Sequence, residues 1–183
     1  MKNCLRWTIV VVIVLCGTLS WGNSPEDPFK TWGEPVGGLQ VAVLPLQAAD
    51  QKESNPQFFI AFKNTGSKDM MLNLGTMDTD ESQYHLTRVG ITLSAAQGEN
   101  DELEFKIPAE DKRQGNKDYL VPLPVGAKYF IRIDLAQFWC PKTMEKSLKL
   151  KPGNYTIVIA YHAGTQEMPA GVVQSQKLEF NIP

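Results

Sequence analysis

The sequence is short of the side chains that most often carry chemistry. It has three cysteines and two histidines in 183 residues, and Cys4 and Cys16 both fall near the amino terminus. Cys140 stands alone in the body of the chain, so no internal disulfide can be drawn there. Cysteines outside disulfides are among the most buried residue types, and Cys140 reads as an inert core thiol. A structural zinc site needs four ligands and the two histidines, His85 and His162, supply only half of them. No spacing ties either histidine to Cys140 as base to nucleophile. A Gly-x-Ser-x-Gly elbow, a phosphate loop and a dinucleotide fingerprint are all missing. These absences lead to the expectation of a protein that is not an enzyme and has no catalytic residue, metal or cofactor.

Positive charge is also scarce. Eighteen Lys and Arg stand against twenty Asp and Glu. Such a balance leaves no electrostatic footprint for nucleic acid and no polybasic segment for an anionic membrane. Long hydrophobic runs are confined to one place. Lys2 and Arg6 precede the apolar stretch Trp7 to Leu19, and Ser20-Trp21-Gly22 follows with small residues at −3 and −1. This is the layout of a cleavable export signal over residues 1–22. Thirteen apolar residues fall short of the ~20 that a membrane-spanning helix requires. Cleavage is therefore expected, with no transmembrane span in the mature chain and a secreted or periplasmic location. Ile13-Val14-Leu15-Cys16-Gly17 resembles a bacterial lipobox, departing from it at Leu15, which makes a lipid anchor on Cys16 the alternative. Without the leader the net charge becomes −4. Some 160 residues remain, enough to bury roughly 70% of their unfolded surface.

What the mature chain does have is alternation. Residues 23–37 are polar and contain Pro25, Pro28 and Pro35, an extended arm on which Trp32 is expected to dock against the domain. From Gly38 to Pro183 the apolar period is two. Leu39, Val41 and Val43 share one face, as do Phe58, Ile60 and Phe62. The same holds for Leu72 and Leu74, for Val89, Ile91 and Leu93, and for Leu103, Phe105 and Ile107. Later come Tyr129, Ile131, Ile133 and Leu135, then Tyr155, Ile157, Ile159 and Tyr161, then Leu178, Phe180 and Ile182. Asn64-Thr65-Gly66-Ser67 and Gln97 to Asp101 are turn clusters. Helical period is lacking, apart from a short turn expected near Leu135 to Cys140. About eight strands with turns between them predict an all-β, antiparallel β-sandwich over residues 38–183.

Leu148 to Tyr155 reads Leu-Lys-Leu-Lys-Pro-Gly-Asn-Tyr. It resembles the corner before the penultimate strand of immunoglobulin-like sandwiches, where a tyrosine hydroxyl bonds back to the upstream backbone. Phe58 to Leu74 and Pro124-Val125-Gly126-Ala127 add to the likeness. Together they are similar to exported bacterial immunoglobulin-like domains and, distantly, to the bacterial intracellular proteinase-inhibitor sandwich. The resemblance implies an immunoglobulin-like fold in which Tyr155 is the corner tyrosine, without any particular ligand.

The expected function is accordingly an exported, non-catalytic binding or accessory module. A proteinase inhibitor is the first alternative, and a hydrolase using the acidic loops at Asp78, Asp80, Glu81 and Asp101, Glu102, Glu104 the second. The acidic run Asp78 to Ser82 lacks the central Gly and the terminal Glu of a calcium loop. Binding residues favour loops held on a rigid scaffold. Asn64 to Asp69 and Ala163 to Val172 are expected at the same end of the sandwich, where Met168 and Pro169 would meet a protein or glycan partner. Trp139 is the second candidate.

Overall fold

The computed structural model describes residues 28–46, 56–77, 84–95, 98, 100–105, 117–142, 148, 150–163 and 171–182. The export signal expected at 1–22, the acidic run from Asp78 to Ser82 and the Met168-Pro169 tip lie outside these residues.

The described residues form an all-β, sandwich-like fold. In chain order the strands are β1 (Leu39–Pro45), β2 (Gln57–Asn64), β3 (Met70–Met77), β4 (Tyr84–His85), β5 (Val89–Ala95) and β6 (Asn100–Phe105). They continue with β7 (Lys117–Leu123), β8 (Lys128–Asp134), β9 (Phe138–Trp139), β10 (Gly153–Ala163), β11 (Gly171–Gln174) and β12 (Leu178–Ile182). A 3-10 turn, Leu135–Gln137, falls where a short helical turn is expected from the sequence. Asp134 caps it, its side chain accepting from the Ala136 amide at 2.7 Å.

Pairing is antiparallel throughout. One sheet has the order β1-β2-β8. A second runs β11-β10-β5-β6-β9, with β12 also on β10. A third, β4-β3-β7, lies to one side. β11 and β12 occupy the same edge of β10, interrupted at Ser175. The serine repairs the gap: its hydroxyl accepts from the Ile159 amide at 3.0 Å, and its own amide donates to the Ile159 carbonyl at 2.9 Å.

The first two sheets meet through the residues that alternation selects. Leu39, Val41 and Val43, Phe58, Ile60 and Phe62, and Ile157 and Ile159 are wholly buried; Ile131 and Ile133 join the same core. Phe58 meets Phe180 edge-on at 5.1 Å, and Phe62 meets Tyr161 edge-on at 5.5 Å. These T-shaped pairs add to simple area burial. They also set the end of β2 beside the end of β10, so the strand ends that carry 64–69 and 164–170 lie on one side. The Tyr155 hydroxyl donates to the Lys151 carbonyl at 2.9 Å, the back-bond expected at that corner. Cys140 is buried in the same core.

One phenol ties the third sheet to β10. Tyr161 Oη donates to the Asn73 carbonyl at 3.0 Å and accepts from the Asn73 amide at 3.1 Å. Pairing of β3 with β7 shifts register between Asn73 and Thr76, so the Asn73 backbone groups that lose ladder partners find the phenol instead. Gly75 at φ 140° completes the bulge. A β-carbon there would stand 2.0 Å from the His85 carbonyl oxygen.

Two turns bridge the sheets at one end. Asn64, wholly buried, donates through Nδ2 to the Lys68 and Leu123 carbonyls and accepts from the Gly66 amide. Asp69 accepts from the Val125 amide at 2.9 Å. The link from β2 to β3 is thus stitched to the link from β7 to β8.

Candidate binding face

β1, β2 and β8 turn one face to the core. The other faces outward, and its residues follow from register. Gln40, Ala42 and Leu44 of β1 lie opposite Lys63, Ala61 and Phe59 of β2. Lys63, Ala61 and Phe59 in turn lie opposite Lys128, Phe130 and Arg132 of β8. Ala42 and Ala61 are small and adjacent, which leaves a shallow seat on the outer surface. Phe29 of the arm fills it, making a second buried cluster with both alanines; Trp32, Leu44 and Phe59 pack around it. Burying a phenylalanine side chain contributes about 1.5–3 kcal/mol, which accounts for the arm lying on the sheet.

Polar contacts fix the arm in register. Thr31 Oγ1 donates to the Val43 carbonyl and accepts from the Val43 amide, so one hydroxyl stands in for a ladder partner. The Gly33 amide donates to the Val41 carbonyl, and the Gln176 amide donates to the Thr31 carbonyl, both at 2.9 Å. The arm therefore joins the edge of β1 to the segment after β11. At Gly33 the approach is so close that a β-carbon would fall 1.6 Å from the Gln174 carbonyl oxygen. Trp32 docks on the domain as the sequence analysis expects.

Docking assembles an aromatic and cationic surface. Phe29 stacks on Phe130 at 5.4 Å with 25° between planes, and meets Trp32 at 5.6 Å. Phe130 nevertheless keeps 44% of its surface exposed. Lys63 Nζ lies 5.7 Å and Lys128 Nζ 5.6 Å from the Trp32 ring centre, within cation–π range. The Arg132 guanidinium donates to Gln57 Oε1 on the same face. Along β8 the outward positions therefore run Lys128, Phe130, Arg132, Asp134.

The residues singled out from sequence sit elsewhere. Trp139 is half-buried in β9, opposite Glu104 of β6 at the far end of the second sheet. Met168 and Pro169 fall outside the described residues. Glu102 and Glu104 are exposed on one face of β6 and Asp101 lies on the other. His85 is buried beside the β3 bulge, and His162 is exposed on β10. Among the described residues no three of His, Cys, Asp and Glu are grouped as metal ligands, and no helix is long and apolar enough to cross a membrane.

Two further features are geometrically distinct. The Tyr84 and Tyr119 rings meet at a tilt with centres 5.5 Å apart, and the Tyr119 and Tyr129 hydroxyls lie 2.7 Å apart. Burial, then the hydrogen bond with Tyr129, holds the Tyr119 phenol well above the usual range. Burial, then the neighbouring Tyr119, raises Tyr84. An open depression lies over Asn154 to Thr156 and Glu179 to Asn181. Its two amides satisfy each other, Asn181 Nδ2 donating to Asn154 Oδ1 at 2.6 Å.

No family model matches this sequence, and no curated protein matches it.

Proposed function

We propose that this chain is an exported, non-catalytic binding module of immunoglobulin-like architecture, and that it engages its partner through the outer face of β1-β2-β8. The back-bond from Tyr155 to Lys151 supports the immunoglobulin-like assignment. The binding reading is carried by one observation: Phe130, flanked by Lys128 and Arg132, remains exposed on a sheet whose other outward apolar residues lie under the arm. Aromatic side chains beside Arg form the centres of recognition surfaces more often than of inert ones. The face also stands on paired strands, which hold its side chains more firmly than a loop would.

Radical footprinting of the full chain, alone and mixed with extract from its native envelope, tests this reading. Protection of Phe130 and Trp32 is expected. Protection confined to the Trp139 end, or none at all, would remove the assignment of this face.

A further inference from the structure

We infer that two copies of this chain pair edge to edge through β8, antiparallel about a two-fold axis at Ile131, so that Phe130 of each lies beside Arg132 of the other. The inference goes beyond the binding-face reading above. It concerns the edge of the sheet rather than its flat, and pairing would carry that face across two copies.

Backbone direction comes first. Thr31 and Gly33 of the arm occupy the sheet edge at β1. At the other edge, among the described residues, β8 pairs with β2 alone. In an antiparallel ladder every second pair of residues exchanges N–H and C=O bonds. The Asn64 amide donates to the Ala127 carbonyl and the Leu135 amide to the Pro56 carbonyl, which sets the phase of β8. Tyr129, Ile131 and Ile133 turn their backbone groups to β2. Lys128, Phe130, Arg132 and Asp134 turn theirs to the opposite side. A row of such groups on an edge strand is a template for a further strand.

Side chains then select which strand. Lys and Arg on an edge ordinarily keep strands apart, but here the order of charges complements its own reverse. With the axis at Ile131, Phe130 falls opposite Arg132 of the second copy and Asp134 opposite Lys128, and symmetry repeats both pairs. Moving the axis to Arg132 sets two arginines against each other. Moving it to Phe130 sets Arg132 against Lys128. Placing it between residues turns the backbone groups out of phase. Opposite charges directly across contribute roughly 0.2–1 kcal/mol, and like charges destabilise. Only the signs enter this choice, and Lys128 keeps its place over Trp32. Phe29, seated over Ala42 and Ala61, covers one face of the Phe130 ring. The other face looks toward the edge of β8, where a guanidinium can stack on it. A strand of unrelated sequence has no reason to carry this reversed order, whereas a second copy carries it necessarily.

Sedimentation of the full chain across a wide range of concentration provides the test. Seven residues of edge make a modest interface, so a monomer–dimer equilibrium is expected rather than a permanent dimer. Arg132→Pro removes an N–H that points away from β2 and leaves the β2 ladder whole; the dimer should be lost. Lys128→Glu sets like charges across the axis twice and should weaken the dimer about tenfold. Adding Asp134→Lys restores opposite signs and should recover most of that loss. Removing the Asp134 cap cannot by itself tighten a dimer, so recovery identifies the pair. Matching thermal midpoints at low concentration establish that Arg132→Pro and Lys128→Glu fold. A monomer at every concentration would overturn the inference. So would a dimer indifferent to Arg132→Pro, or a double change that associates no better than Lys128→Glu. Footprints keep the two readings apart. A chain that stays monomeric while envelope extract protects Phe130 would remove edge pairing and leave the binding face standing. A dimer broken by Arg132→Pro, with no protection of Phe130 when extract meets the dilute monomer, would do the reverse.

Discussion

At the scale of single residues, two tyrosines show how a hydroxyl shapes a β fold. Tyr161 Oη both donates to and accepts from the Asn73 backbone in a buried bulge. Tyr161→Phe keeps the ring against Phe62 and leaves a buried N–H and C=O unmet, which costs about 1–3 kcal/mol. Urea denaturation should show that loss as a lower midpoint with an unchanged slope. Tyr119 acts on pH dependence instead. Its folded-state pKa lies above that of the unfolded chain. The folded state therefore keeps a proton that the unfolded state gives up, and stability falls as pH rises above about 10, the unperturbed phenol value. Below that pH the contribution is fully present. Melting temperatures measured from pH 8 upward should drop more steeply in the wild type than in Tyr119→Phe, while the variant loses roughly 1 kcal/mol at neutral pH with its bond to Tyr129.

At the scale of elements, the arm is held by a few contacts that can be tested separately. Gly33→Ala would force a β-carbon into the Gln174 carbonyl, and Phe29→Ala would empty the seat over Ala42 and Ala61. Each should release residues 28–33 without unfolding the sheets. Hydrogen exchange should then speed at the Gln176 amide, which donates to the arm, and not at the Ile159 amide, which is held by Ser175. The phenylalanine change should lower stability by roughly 3 kcal/mol if the seat stays empty. Elements also differ in how legible they are in the sequence. β8 and β10 alternate cleanly because one side meets the core and the other meets water. β7 escapes the alternation reading because Pro122 interrupts it, and proline argues against a central strand; Pro122 in fact sits exposed in a strand that, among the described residues, pairs with β3 alone. β11 is four residues long and begins at a glycine, so it merges with the loop before it. In β3 the bulge buries Leu72, Asn73, Leu74 and Gly75 in succession, which hides the period altogether. The candidate face was illegible for a different reason. Trp32, Lys63 and the Lys128–Phe130 segment are distant from one another in sequence, and only strand register and arm docking bring them together.

At the scale of the whole molecule, the core is continuous across all three sheets, from Val41 and Phe62 to Ile159, Leu74 and Leu123. One cooperative unfolding transition is expected, with tryptophan fluorescence and far-ultraviolet dichroism tracing the same curve. Separate midpoints would mean that β4-β3-β7 melts on its own. Most pairings join distant segments, such as β2 with β8 and β5 with β10. Folding of such a topology is slow because loops must close before contacts form, so refolding in the millisecond-to-second range is expected by stopped-flow fluorescence.

Phe130 does not hold its posture alone; it leans on Phe29, and Phe29 belongs to the first described stretch of the chain. A tug applied upstream of Pro28 would reach Phe29 and the Thr31 hydroxyl before any core strand bears load. The arm would peel, the prop behind Phe130 would go, and the sandwich beneath would stay intact. Whatever grips this protein by its leading end thereby also grips the posture of its exposed ring.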